Sequence, residues 1–315
     1  MASTPPLSVV LVAGSQRARA QHVVDALAAQ TVAHELEVVV VDVAPVSVPP
    51  LDRRGLRTHY ARRPDIKRWG AARVEGVHAA KAGVVAFIED HCFPAPTWAE
   101  VLIDAHRGPW VAVGYAFTNA NPQTYVSRSS MMARYGAFAH PARRGPSRLL
   151  SGNNISYKRQ TLLEFGPALE GLLAIDLNLQ ELLARRGAPM FVEARALAAH
   201  QNFTSVISEG RTGHAYCRLL AARRAEIQRW GTLRRLVYGV AAPAGAPAIR
   251  LARLLTGMAG RPALWATVTA GLPAIAIEYL FDATGESLGY LAGAGNAERE
   301  TMRWELEADR TGTSR

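Results

Sequence analysis

Three consecutive side chains, Glu89-Asp90-His91, place two carboxylates and an imidazole at the end of an apolar run, Val84-Val85-Ala86-Phe87-Ile88. Such a set could hold a divalent cation, and carboxylate with imidazole suits Mn2+ well and Mg2+ less well. Residues two apart on a regular strand share a face, so Glu89 and His91 would point together and Asp90 away. A strand end need not stay regular, so Asp90 and His91 are both open as the main ligand. His200, soon after the strand-like Pro189–Ala194, is the natural candidate to complete the set. The bland alternative is an acid-rich strand end that caps a helix or meets solvent. Other groups with chemical potential are Asp42 at the end of a second apolar run, Arg73, Gly152-Asn153-Asn154 and Asp176.

These residues need elements to position them. Leu7–Ala13 and Leu36–Asp42 are β-branched runs of the kind found in fully buried parallel strands. Between them Val23, Val24, Leu27 and Ala28 recur at helical spacing, which makes a βαβ unit. A second helical pattern runs from Arg68, with Gly83 as its expected cap, into Val84–Ile88. Alternating strands and helices predict an α/β fold with a mostly parallel sheet, whose ligands sit beyond the carboxyl ends of the strands. Gly14-Ser15-Gln16-Arg17, Asp42 and Glu89-Asp90-His91 all fall at such ends. Residues 116–150 read as a loop-rich, mobile segment. Leu177, Leu179, Leu182 and Leu183 mark a helix closed by Gly187.

The order of these features resembles the inverting GT-A fold glycosyltransferases of family 2. The resemblance rests on Asp42, Arg73, Ala82-Gly83, Glu89-Asp90-His91, Pro94-Ala95-Pro96-Thr97-Trp98, Gly152 to Arg159, Asp176 and His200, in that order over about residues 7–205. It implies a Rossmann-like GT-A domain that moves a sugar from a nucleotide-diphospho-sugar, UDP favoured, to an acceptor hydroxyl with inversion. Glu89-Asp90-His91 then occupy the D-x-D slot and, with His200, hold Mn2+ or Mg2+. Nucleotide-sugar binding falls to Ala13, Gly14, Ser15, Asp42 (for the base), Arg73, Glu89, Asp90, Asn153 and Asn154. Asp176 is the implied catalytic base, and Trp98 and Tyr157 are candidates for stacking on sugar rings. The chain departs from the family pattern at three places. Ala13-Gly14-Ser15 stand where a Pro and a Tyr/Asn pair are usual, imidazole fills the third D-x-D position, and Ile175 replaces the first acid of an E-D pair.

Composition narrows the alternatives. The chain has 315 residues, 49% of them hydrophobic and 20% charged, which suits a folded protein. Two cysteines, Cys92 and Cys217, stand far apart, against a disulfide scaffold and in keeping with a reducing, cytoplasmic setting. Leu7–Ala13 reads as a first strand rather than a signal peptide. No G-x-G-x-x-G follows that strand, against a Rossmann dehydrogenase, and no Gly-rich basic loop supports a nucleotidyltransferase. The net charge of +10 is uneven: Arg211 to Arg261 hold ten arginines and one acid, while Pro262 to Arg315 hold eight acids and four arginines. A nucleic-acid partner is not expected, because no reading module accompanies the arginines.

Residues 1–210 are therefore expected to form the catalytic domain, with the nucleotide-sugar site in its first half and the acceptor side in its second. Residues 211–295 should be a helical basic and apolar extension, and 296–315 a polar tail. In the extension, apolar residues at helical spacing alternate with arginines, as in helices that lie in a membrane interface. Pro262–Ile277 is uncharged for sixteen residues, short of the about 20 a spanning helix needs, and Pro273 interrupts it. A monotopic or re-entrant hairpin on the cytoplasmic face of the inner membrane is the expectation. A packed helical subdomain or a homo-oligomer contact is the alternative. The acceptor implied is a carbohydrate or lipid-linked molecule of envelope polysaccharide or glycolipid synthesis.

Overall fold

The computed structural model describes residues 4–311. In chain order the first elements are β1 (Leu7–Ala13), α1 (Arg17–Ala28), β2 (Leu36–Asp42), β3 (Thr58–Arg62), α2 (Trp69–Ala79), β4 (Val84–Ile88) and β5 (Cys92–Pro94). Then come α3 (Trp98–Ala105), β6 (Ala112–Asn119), α4 (Tyr125–Tyr135), β7 (Gly145–Pro146), β8 (Ile155–Lys158), α5 (Arg159–Leu163), α6 (Leu169–Leu173), α7 (Asp176–Arg185) and β9 (Met190–His200). Four helices finish the chain: α8 (Val206–Ile227), α9 (Thr232–Gly257), α10 (Pro262–Ala292) and α11 (Ala297–Leu306).

These elements group into two compact units, and the first is discontinuous in sequence. It holds the residues up to Thr118 together with Ala142–His200. Its nine-stranded sheet runs β3-β2-β1-β4-β8-β6-β9-β5, with β7 also paired to β9. Strands β1 to β4 are mutually parallel, in keeping with the predicted βαβ units. The pairings β4–β8, β6–β8, β5–β9 and β7–β9 are antiparallel, so the sheet is mixed rather than mostly parallel. Every residue of β1 and β2 is buried, and burying each Val or Leu stabilises by roughly 1.5–3 kcal/mol.

Two polar residues inside this core are matched to each other. Ser8 donates to the Glu37 carboxylate, which also accepts from Lys81 N at 2.7 Å, while Ser8 Oγ accepts from Ala82 N at 3.0 Å. Together they tie β1 and β2 to the chain entering β4. Helix α2 reaches the sheet through a glycine, since a Cβ on Gly76 would lie 2.3 Å from Val10 Cγ1. The helix ends at Ala79 with an extended Ala80, so Gly83 is not its cap. The helix predicted from Leu177 is α7, and Gly187 beyond it takes a left-handed φ of 70°.

The second unit holds Asn119–Pro141 and the residues from Gln201 onward. The expected boundary at 210 is therefore displaced, and a segment of the first 150 residues joins the helices. That segment is not the loop predicted over 116–150, because it contains α4, whose Ser130, Met131, Met132 and Tyr135 are buried. Arg134 on α4 bonds Glu209 Oε1 at 2.7 Å and Asp282 Oδ2 at 2.6 Å, which fastens α4 to α8 and α10. The expected break at Pro273 is absent, since α10 is one continuous helix of 31 residues. The Pro- and Ala-rich tract at 241–248 lies in the middle of α9. The expected polar tail contains α11, whose Thr301, Met302 and Leu306 are buried.

Candidate active site

The expected ligands meet because β4 ends in a tight turn. Cys92 N donates to Glu89 O at 3.1 Å, so the chain reverses over Asp90 and His91 and returns as β5. Strand β5 pairs antiparallel with β9 in a register that sets Cys92 opposite His200. Sequence-distant His200 is thereby brought to the turn, with ring centroids of His91 and His200 4.9 Å apart. Glu89, His91 and His200 form a buried cluster whose ligand atoms lie within 4.8 Å of one another. Glu89 Oε2 lies 3.6 Å from His91 Nε2 and 3.5 Å from His200 Nε2. Ligands bound at about 2.0–2.2 Å around one ion stand at comparable separations, so the donor set fits a divalent metal.

Asp90 is not part of that donor set. Its Oδ1 accepts from His91 Nδ1 at 2.9 Å, and its Oδ2 pairs with Arg19 Nε at 3.1 Å. A carboxylate on Nδ1 holds the proton there and leaves Nε2 with its lone pair toward Glu89, the arrangement metal-binding histidines use. Asp90 thus orients His91, and it is the imidazole rather than the Asp90 carboxylate that stands in the candidate cluster with Glu89 and His200.

Asn153 and Asn154, expected on the nucleotide-sugar, both hold Glu89. Asn153 Nδ2 donates to Glu89 Oε1 at 2.7 Å, and Asn154 Nδ2 donates to Glu89 Oε2. Asn154 Oδ1 accepts from Glu89 N at 3.0 Å. Asn153 reaches this position with a left-handed φ of 61°, which Asn tolerates better than most residues. Arg73 then braces Asn153 from behind, donating to its carbonyl at 3.2 Å and to Leu173 O at 2.9 Å.

The rest of Arg73 is spent on Asp176, with bonds of 2.6 Å and 2.9 Å to the two carboxylate oxygens. Its guanidinium also lies over the Phe87 ring at 4.0 Å. Arg73 is 1% exposed and Asp176 0%, so Arg73 is a buried strut rather than a phosphate-facing side chain. Burial raises the Asp176 carboxyl above the ordinary range, with the Arg73 guanidinium pulling against that shift. Trp98 and Tyr157 are fully buried, which makes them core rather than sugar platforms.

Asp42 is occupied as well. Arg17 Nη2 donates to both its oxygens at 2.9 and 2.8 Å, Tyr60 Oη at 2.6 Å, Arg62 Nη1 at 3.0 Å and Ala44 N at 3.1 Å. These five hydrogen bonds from four donor atoms take up the about four lone-pair sites of a carboxylate, leaving no acceptor for a base N–H. Ala13 and Gly14 are buried at the end of β1 and Ser15 is exposed beside them. Sequence reasoning missed Arg17, Arg19, Tyr60 and Arg62 as partners of the two aspartates. Arg17 alone carried a signal, as part of the polar cluster at the exit of β1.

A family model described as glycosyl transferase family 2 matches residues 8–164, ending before α7 and β9. No curated protein matches the chain with significance. Among solved structures, S. aureus TarS shares 16% identity at a TM-score of 0.41, over 68% of this chain and 39% of its own. The mannosyltransferase PcManGT from Pyrobaculum calidifontis, solved with GDP-Man and Mn2+, shares 18% identity at a TM-score of 0.48, covering 89% and 88%. A mycobacterial protein shares 17% identity at 0.45, covering 70% and 74%. Through the region that carries β1 to β8 and the Glu89-Asp90-His91 turn, this chain belongs to glycosyltransferase family 2.

Proposed function

We propose that this chain is a metal-dependent, inverting glycosyltransferase working on the cytoplasmic side of the inner membrane. It takes a nucleotide-diphospho-sugar as donor and a carbohydrate or lipid-linked hydroxyl as acceptor, in envelope polysaccharide or glycolipid synthesis. The observation that carries this reading is the convergence of Glu89, His91 and His200 at the end of β4, in a chain of this family. Glu89, His91 and His200 would hold a divalent ion there, which would supply Lewis-acid neutralisation of a departing diphosphate's charge. One carboxylate and two imidazoles favour Mn2+ over Mg2+.

The chain's own residues supply the rest. Asn153 and Asn154 fix the Glu89 carboxylate, Asp90 fixes the His91 tautomer, and Arg73 fixes Asn153. Asp176 is the proposed base. Its raised carboxyl suits proton abstraction, and taking an acceptor proton requires it to exchange Arg73 for the hydroxyl. Ala13, Gly14 and Ser15 border the donor side. UDP-sugars head the donor panel, although Asp42, the residue expected to read the base, is saturated by arginine and tyrosine.

The test combines Mn2+ titration calorimetry with turnover of a nucleotide-sugar panel. Replacing the ligand in His200→Ala should abolish measurable Mn2+ affinity and transfer. Asp90→Asn should weaken Mn2+ by about 10–100-fold, as loss of an outer-shell partner does. Unchanged Mn2+ affinity in both variants would remove the metal centre. A wild-type chain that no nucleotide-sugar stabilises thermally, with or without Mn2+, would remove the transferase reading.

A further inference from the structure

Helix α10 carries three acids, Glu278, Asp282 and Glu286, spaced four residues apart on one face. All three turn inward. Ser130 Oγ donates to Glu278 at 2.6 Å, Arg134 meets Asp282 at 2.6 Å, and Arg250 meets Glu286 at 2.7 Å. The opposite face is left without charge along the whole helix and exposes Trp265, Leu272, Ile277, Leu280, Leu288 and Leu291. Thirty-one residues at about 1.5 Å each make it on the order of 45 Å long. Helix α9 repeats the pattern, for between Arg235 and Arg250 it has no charged residue and exposes Leu236, Val237, Val240 and Ile249. Gly239 of α9 lies against Leu291, where a Cβ would come within 2.5 Å, so the two outer faces adjoin there. Exposed apolar surface of this extent marks an interaction site.

The charges around the face choose the partner. From Ile227 to Ala297 the only acids are the three on α10, and they are consumed internally. Arg229, Arg234 and Arg253 stay exposed, and Arg234 lies over the Trp230 ring at 4.1 Å beside Tyr238 and Tyr290. A second copy docking through the same patch would set these arginines against each other with no acid to pair them. An anionic bilayer surface complements them, and the exposed Tyr238 and Trp265 beside the arginines suit its interface. The other side of α10 is taken up by α4 and α8, which expose Arg128 and Arg211. The helix therefore lies on a bilayer rather than through it.

We infer that the outer faces of α9 and α10 form a docking surface for an anionic lipid bilayer. The surface does not depend on the transferase reading, and its test reads binding rather than activity. The full chain is floated with vesicles of phosphatidylcholine alone and of phosphatidylcholine with about a third phosphatidylglycerol. It should rise with the anionic vesicles and fall away as salt is raised. Val240→Glu with Leu280→Glu, both at exposed positions, should lower vesicle partitioning by about tenfold or more while far-ultraviolet circular dichroism stays unchanged. Arg234→Glu should lower it less and weaken the salt dependence. Equal flotation of wild type and the double variant would overturn the inference. So would a wild type that ignores both vesicles and is a dimer by light scattering that the double variant dissolves, for then the occupant is a second copy.

Discussion

Asp176 and Arg73 show how one pair of side chains can serve both structure and chemistry. Their bonds of 2.6 and 2.9 Å are fully buried, and the same guanidinium holds the Asn153 carbonyl. Removing one partner of such a pair leaves a buried charge unmatched, at a cost of about 3–5 kcal/mol. Asp176→Asn should therefore lower the melting temperature and abolish transfer together. The double variant Arg73→Met with Asp176→Leu should recover much of the lost stability, as apolar replacements of buried pairs do. If the refolded double variant regained transfer, Asp176 would be a positioning residue only. Continued inactivity in a well-folded protein, with Mn2+ affinity retained, is the outcome expected of a base.

Among the elements, α10 couples its apolar outer face to a buried polar inner one. Burial pushes the Glu278 carboxyl up to about 8, with Glu209 on α8 adding to the rise and Arg134 on α4 pulling against it. Asp282, one turn further along α10, also raises it. The folded chain thus keeps a proton that the unfolded chain releases above an ordinary carboxyl value of 4.5. Stability must then fall as pH rises from about 4.5 towards and through about 8. Thermal melts between these limits should show that decline, and Glu278→Gln, which keeps a partner for Ser130, should flatten it. A slope identical in the variant would assign the dependence to other groups.

At the scale of the whole molecule, the division into units is not the division of the sequence. Residues 119–141 pack with the C-terminal helices, where Arg134 meets Glu209 and Asp282, and Arg261 donates to Gly136 O at 2.7 Å and to Pro141 O at 2.9 Å. A truncation after residue 200 leaves α4 with its buried Met131, Met132 and Tyr135 uncovered. It should be poorly soluble and bind a hydrophobic dye strongly. The same truncation with 119–141 replaced by a short flexible linker should be the better behaved of the two. Equal solubility of both would mean that α4 does not rely on the C-terminal helices.

The sequence by itself determined the local elements and the identity of the reactive residues. β-branched runs fully specify β1, β2 and β4, because strands buried on both faces need an unbroken apolar code. The spacing that marked α7 and its glycine end was equally local. Glu89, Asp90, His91 and His200 could be picked out as candidate ligands from residue type and placement. Only the tertiary structure decided what each polar group touches, because that depends on pairings across long stretches of chain. The β5–β9 register brings His200 to Glu89. The packing of α2 gives Arg73 to Asp176, and α1 with β3 closes over Asp42 through Arg17, Tyr60 and Arg62. Pro273 reads locally as a break, yet it sits inside α10, as Pro243 and Pro247 sit inside α9. The three acids of α10 are visible in sequence, but that they turn inward and leave a charge-free outer face is decided by Ser130, Arg134 and Arg250 arriving from elsewhere.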